Sequence, residues 1–192
     1  MNINLHNTND NLNTQDLIFL VVLSVFIGTM WMLYGIFFHV VHPALAALNL
    51  TGIIRGIWNI SGGIFGIILR KKYSAFLGNI LPSVVEMSFS TWGFYNIIYG
   101  LFEGATAELF FRMYGYKRAT ISTMLFANVA VAITSFFIDC VIFNLYKLSI
   151  GANIFRLSTE IVSTIAFSIP TIFVIRYLLK LGYLKPYAIS NQ

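Results

Sequence analysis

The sequence predicts an all-α integral membrane protein, a bundle of six transmembrane helices with both termini in the cytoplasm. Three observations carry that reading. Hydrophobic residues make up 58% of the 192 residues, charged residues only 10%, and the mean hydropathy is +0.79. That leaves too little polar surface to wrap a soluble globule of this size. The apolar residues fall into runs long enough to cross a hydrocarbon core, which takes roughly 20 helical residues, and six such runs use nearly the whole chain. The 12 basic residues, against 7 acidic, sit beside those runs as a membrane topology signal. Nucleic acid is therefore not expected as a partner, and the lipid bilayer is.

Residues 1–15 are a polar, Asn-rich tail with Asp10 and no Lys or Arg. A signal peptide needs a basic n-region, so no cleavage is predicted. The first span covers about 16–41, and its Ser24 and Gly28 form a small-xxx-small pair that lets another helix approach closely. If this span docks on a partner subunit, these two residues make the contact. The uncharged loop HVVHPALAALNL follows, with Pro43 ending the helix, and suits a lid over an outer pocket. His39 and His42, lacking a carboxylate or cysteine nearby, read as polar rim rather than metal ligands. The second span, about 50–69, carries Arg55, Trp58 and Asn59 in its first half and Gly62, Gly63 and Gly66 in its second. Arg70, Lys71 and Lys72 stop it. A short third span, 73–90, is expected to kink at Pro82, with Glu86 one turn beyond. The fourth, fifth and sixth spans cover about 92–114, 119–146 and 158–181. They complete a single transmembrane domain over 16–182, ahead of a C-terminal tail, 183–192. Cys140 stands alone in an apolar run and reads as a packing residue.

Charge fixes the orientation. Arg70, Lys71, Lys72, Arg112, Lys117, Arg118, Arg176, Lys180 and Lys185 fall on one side, against Lys147, Arg156 and an outward-snorkelling Arg55 on the other, so the first group is cytoplasmic. Glu86, Asp139 and Glu160 then lie near the outer face. Glu103, eleven residues below Trp92, lies roughly 16 Å down the helix and near mid-membrane. Spacing of four pairs Glu108 with Arg112 and Glu160 with Arg156.

Trp92, Asn96, Tyr99 and Glu103 follow at spacings of four, three and four, which puts them on one helical face. A carboxylate in hydrocarbon is costly unless it faces a cavity, a partner or a ligand, so this face points inward as the wall of a pocket. With Trp58, Glu86 and Asp139 it forms the expected substrate site. Carboxylates accept from amino groups on a heterocycle, and aromatic faces attract positive charge, so the site suits a flat cation. There is no Gly-rich phosphate loop, no nucleophile–His–acid set and no His/Cys metal spacing. The reading is a non-enzymatic binding protein without a cofactor.

The segments GIWNISGGIFGIILRKK, VVEM, TWG, GLFEGATAELFF, SFFIDCVIF and FRLS, in that order over about 17–182, resemble the YkoE family. Its members are substrate-binding S components of energy-coupling factor transporters associated with hydroxymethylpyrimidine or thiamine uptake. The resemblance implies an outward-facing vitamin site in a six-helix membrane subunit. It also implies reliance on a separate transmembrane coupling subunit and cytoplasmic ATPases, which accounts for the missing phosphate loop. The positions carried over are Trp58, Arg70, Glu86, Trp92, Gly104, Glu108, Asp139 and Arg156. The chain departs from the pattern at Asn79, where members often have Glu, at Glu103, where they have an amide, and at Glu160, which replaces a small residue. Nickel and cobalt S components have His at the second position, whereas this chain has Asn2. The alternative is a self-sufficient secondary transporter for a small organic cation with Glu103 or Asp139 as proton carrier, but no internal inverted repeat is visible.

Overall fold

The computed structural model describes residues 11–187 apart from 89 and 91, together with 189. Asn2, most of the N-terminal tail and the last three residues lie outside the described residues. Six α-helices follow one another: α1 (Thr14–Ala47), α2 (Ser61–Leu69), α3 (Ser74–Met87), α4 (Tyr95–Tyr114), α5 (Ile121–Ile142) and α6 (Ile150–Leu181). No strand occurs among the described residues. By length and apolarity α1, α5 and α6 are the helices able to cross a membrane, so the protein is membrane-embedded. The other three are shorter or, like α4, carry acids.

Asn13 starts α1 with a capping box: its side chain accepts from the Asp16 amide at 2.8 Å, and the Asp16 carboxylate accepts from the Asn13 amide at 2.8 Å. Asp16 also pairs with Lys71 at 2.5 Å. Along α1 the residues Leu20, Ser24, Gly28, Trp31, Gly35 and Phe38 are buried, one every three or four positions, which is one helical face. Val22, Phe26, Leu33, Phe37 and Val40 on the other side are exposed, as a lipid-facing surface requires.

The buried face of α1 lies against α3, and Ser24 and Gly28 are part of that face. Ser24 is 1% exposed, and a Cβ on Gly28 would stand 2.7 Å from both the Pro82 carbonyl oxygen and Val85 Cβ. The close approach that the small pair permits is made within this chain.

The first helix also does not stop at Pro43. It runs on to Ala47, so most of the expected lid is helical. A proline inside a helix removes one hydrogen bond, and Pro43 lies on an exposed part of α1. Conversely, only the second half of the second span is α-helix. Residues 51–60 form two 3-10 turns, Thr51–Ile54 and Trp58–Ile60. The cause is close packing on α6: a Cβ on Gly52 would meet the Arg156 carbonyl oxygen at 2.6 Å, and one on Gly56 the Ser163 carbonyl carbon at 2.3 Å. Irregular backbone at membrane depth persists only where protein satisfies its polar groups or it lines a cavity. Here the Tyr34 hydroxyl donates to the Ile54 carbonyl at 2.7 Å, Trp31 Nε1 donates to that of Ile57 at 3.3 Å, and Ser163 accepts from the Gly56 amide at 3.0 Å.

The core centres on α2, whose Phe65, Ile67, Ile68 and Leu69 pack with Phe111 of α4 and with Met124, Ala127 and Val131 of α5. The helix α3 packs on α1, α2 and α4, while α5 packs on α4 and α6. Leu184 and Ile189, near the C-terminus, join the same core.

Two predicted ion pairs are replaced. Glu108 does not pair with Arg112. Its carboxylate accepts from the amides of Tyr73, Ala75 and Phe76 at 2.6, 3.1 and 3.2 Å. It thereby caps the start of α3, where a negative charge is favoured. The Tyr116 hydroxyl also donates to it, at 2.5 Å; burial, with the Glu108 carboxylate beside it, pushes that phenol above its ordinary pKa. Glu160 takes Arg55 and Asn59 as its close partners, while Arg156 closes on Asp139.

Candidate functional site

A cavity of about 60 Å³ opens among α1, the 51–60 stretch, α3, α4 and α5. The face of α4 supplies Asn96, Tyr99 and Glu103, at the spacing read from the sequence. Trp92 joins them from the turn preceding the helix, since α4 begins at Tyr95. Trp58 and Glu86 also line the cavity. Trp58 Nε1 donates to Glu86 Oε1 at 3.0 Å, which fixes the indole edge and leaves Glu86 Oε2 for another donor. Six of the seven expected site residues therefore meet around one space.

Asp139 is the exception. It does not line the cavity. Its Oδ2 accepts from Arg55 Nη1 at 2.5 Å and from Arg156 Nη2 at 2.9 Å, while its Oδ1 accepts from the Tyr99 hydroxyl. Fully buried, it anchors the wall from behind. Arg55, expected to snorkel outward, instead reaches inward. Its Nη2 donates to Ser135 Oγ at 3.2 Å, and its Nε lies 3.6 Å from Glu160 Oε1. Asn59 Nδ2 completes this layer, donating to Glu160 at 3.3 Å and to Thr164 at 3.0 Å.

The charge balance follows from these pairs. Asp139 and Glu160 are matched by Arg55 and Arg156, whereas Glu86 and Glu103, each 4% exposed, line the cavity and form no ion pair among the described residues. The amide nitrogen of Asn96, also a lining residue, is buried without a hydrogen bond. The site therefore offers carboxylate acceptors and one amide donor between aromatic walls.

Sequence reasoning missed five lining residues: Trp31, Phe38, Arg55, Ser83 and Ser135. Phe38 stands edge-on to Trp58 and Trp92, with centroids 5.5 and 6.2 Å away. Trp92 in turn stacks on His39 at 5.6 Å and meets Phe143 edge-on at 5.7 Å. A three-to-four-residue count from Gly28 along α1 leads to Trp31, Gly35 and Phe38, the one signal that could have found two of the five. His39 does belong to a rim, as an aromatic surface beside Trp92.

The fold is that of a transporter subunit. A solved structure described as "Crystal structure of an S-component of ECF transporter" superposes with a TM-score of 0.88, covering 94% of this chain and 92% of that one at 21% sequence identity. Residues 15–134 match the family described as ABC-type cobalt transport system, permease component, and the chain belongs to that family. A comparison with curated protein sequences gives no match.

Proposed function

We propose that this protein is the substrate-binding S component of an energy-coupling factor importer in the cell membrane. Its cargo is a thiamine-related vitamin or precursor, hydroxymethylpyrimidine or thiamine. A separate transmembrane coupling subunit and cytoplasmic ATPases drive the transport. All six helices take part in the membrane domain, with both termini cytoplasmic. The observation that carries the substrate reading is the placement of Glu86 and Glu103, neither in an ion pair among the described residues, with the rings of Trp58, Trp92 and Tyr99 around one cavity.

An aminopyrimidine presents amino donors beside ring-nitrogen acceptors. Glu86 and Glu103 meet the donors, the Asn96 amide meets an acceptor, and the rings stack on the heterocycle. A positively charged thiazolium gains from the same two carboxylates. The family description names cobalt; among the described residues no group of three or more His, Cys, Asp or Glu could hold a metal ion, and cobalt(II) is therefore one of the ligands the test compares.

An engineered apolar cavity of roughly 150 Å³ holds benzene, so a space of about 60 Å³ admits a heterocycle only when its walls part. Trp92, on a turn rather than in a helix, is the wall residue best placed to move.

The test is calorimetric titration of the purified protein with thiamine, hydroxymethylpyrimidine, riboflavin and cobalt(II). Saturable binding of either of the first two supports the reading. Tight binding of riboflavin or cobalt(II) alone refutes it.

A further inference from the structure

The stretch that carries Arg55 and Trp58 is not held by a regular helical ladder. Two side chains of α1, three residues apart and so on one face, grip its carbonyl oxygens on either side of Arg55: Tyr34 at Ile54 and Trp31 at Ile57. The Tyr34 ring also stands edge-on to Trp58, centroids 5.0 Å apart. Held there, Arg55 reaches Asp139, Ser135 and Glu160. It lines the same cavity as Glu103, so Glu103 is the cavity carboxylate within its electrostatic reach if its hold on Asp139 and Glu160 loosens.

We infer that Tyr34 and Trp31 are positioning residues that set the cavity's preference for a cation, by keeping Arg55 in ion pairs with Asp139 and Glu160 rather than with Glu103. The inference deepens the reading above and rests on it for the choice of ligand. Tyr34 itself does not line the cavity, so its hydroxyl acts only through the backbone it holds. A guanidinium that moves onto one of the two cavity carboxylates removes about half of the attraction a cationic ligand feels from them. A neutral ligand, held by stacking and hydrogen bonds, feels the change far less.

The experiment uses Tyr34→Phe, which keeps the ring and removes the hydroxyl. Its affinities for thiamine, a permanent cation, and for hydroxymethylpyrimidine, which lacks the thiazolium, are compared with those of the wild-type protein. Thiamine affinity is expected to fall about tenfold, the order of one hydrogen bond lost, and hydroxymethylpyrimidine affinity less than about threefold. Equal losses for both ligands, or no loss, overturn the inference. Hydrogen exchange over 51–60 supplies a readout that needs no ligand. It should rise in Tyr34→Phe and rise further in the Trp31→Phe/Tyr34→Phe double variant, with the rest of the chain unchanged. If the wild-type protein binds neither probe, the substrate reading fails by itself, and unchanged exchange over 51–60 then overturns the clamp.

Discussion

Arg55 Nη1 lies 2.5 Å from Asp139 Oδ2, and this pair ties Asp139 behind the cavity wall. Arg156 closes on the same carboxylate oxygen, so the charge of Asp139 belongs to the scaffold. Glu86 and Glu103 are left facing the cavity.

Asp139→Asn should therefore act first on stability. Removing one member of a buried charge cluster leaves its partners uncompensated, at a cost of about 3–5 kcal/mol. Thermal denaturation in detergent should show a large fall in melting temperature. A variant as stable as the wild-type protein would return Asp139 to the list of direct ligands.

Glu86→Gln and Glu103→Gln should act on binding. A lost charged hydrogen bond is worth about 1.5–3 kcal/mol, so each should weaken thiamine or hydroxymethylpyrimidine by roughly tenfold to a hundredfold. Calorimetry of the two variants reads this directly, and affinity unchanged in both removes the carboxylates from the site.

Trp92→Ala takes away both a stacking face and the ring that meets Phe38, His39 and Phe143 at the rim. Equilibrium affinity should fall about tenfold. Stopped-flow binding should show a faster dissociation, since the aromatic closure is broken. An unchanged dissociation rate would show that the rim does not retain the ligand.

Gly28→Leu separates a fold residue from a docking residue. Its side chain would collide with Pro82 and Val85, and overpacking of this kind costs about 1–3 kcal/mol or more. Lower stability and weaker substrate binding are expected together, because α3 carries Glu86. Normal binding and stability with a selective failure of ATP-driven uptake would instead restore Gly28 to a subunit interface.

Glu108→Gln and Arg112→Ala form a contrasting pair. Glu108 accepts three backbone amides at the start of α3, so losing its charge should cost about 1–3 kcal/mol. Arg112, exposed at the end of α4, should cost about 0.5 kcal/mol or less. Chemical denaturation of both variants distinguishes them, and equal losses would revive the Glu108–Arg112 ion pair.

The sequence by itself determined what depends on neighbouring residues along the chain. Hydropathy and run length marked the all-α membrane class. Helical spacing put Asn96, Tyr99 and Glu103 on one face, because positions three and four apart on a helix share a side whatever surrounds them. Only the tertiary structure decided which charges pair. Spacing along one helix assigned Glu160 to Arg156 and Glu108 to Arg112, a rule that holds on solvated helices, where such a pair is worth about 0.2–0.5 kcal/mol. In a dry interior an unmatched charge costs far more than that, so each ion takes the best partner in space: Arg55 finds Asp139 across 84 positions of sequence, and Asn59 finds Glu160 across 101. The same reason hid the broken second span. Its helix gives way because Gly52 and Gly56 press against α6, and no local pattern in residues 51–60 names the helix they would meet.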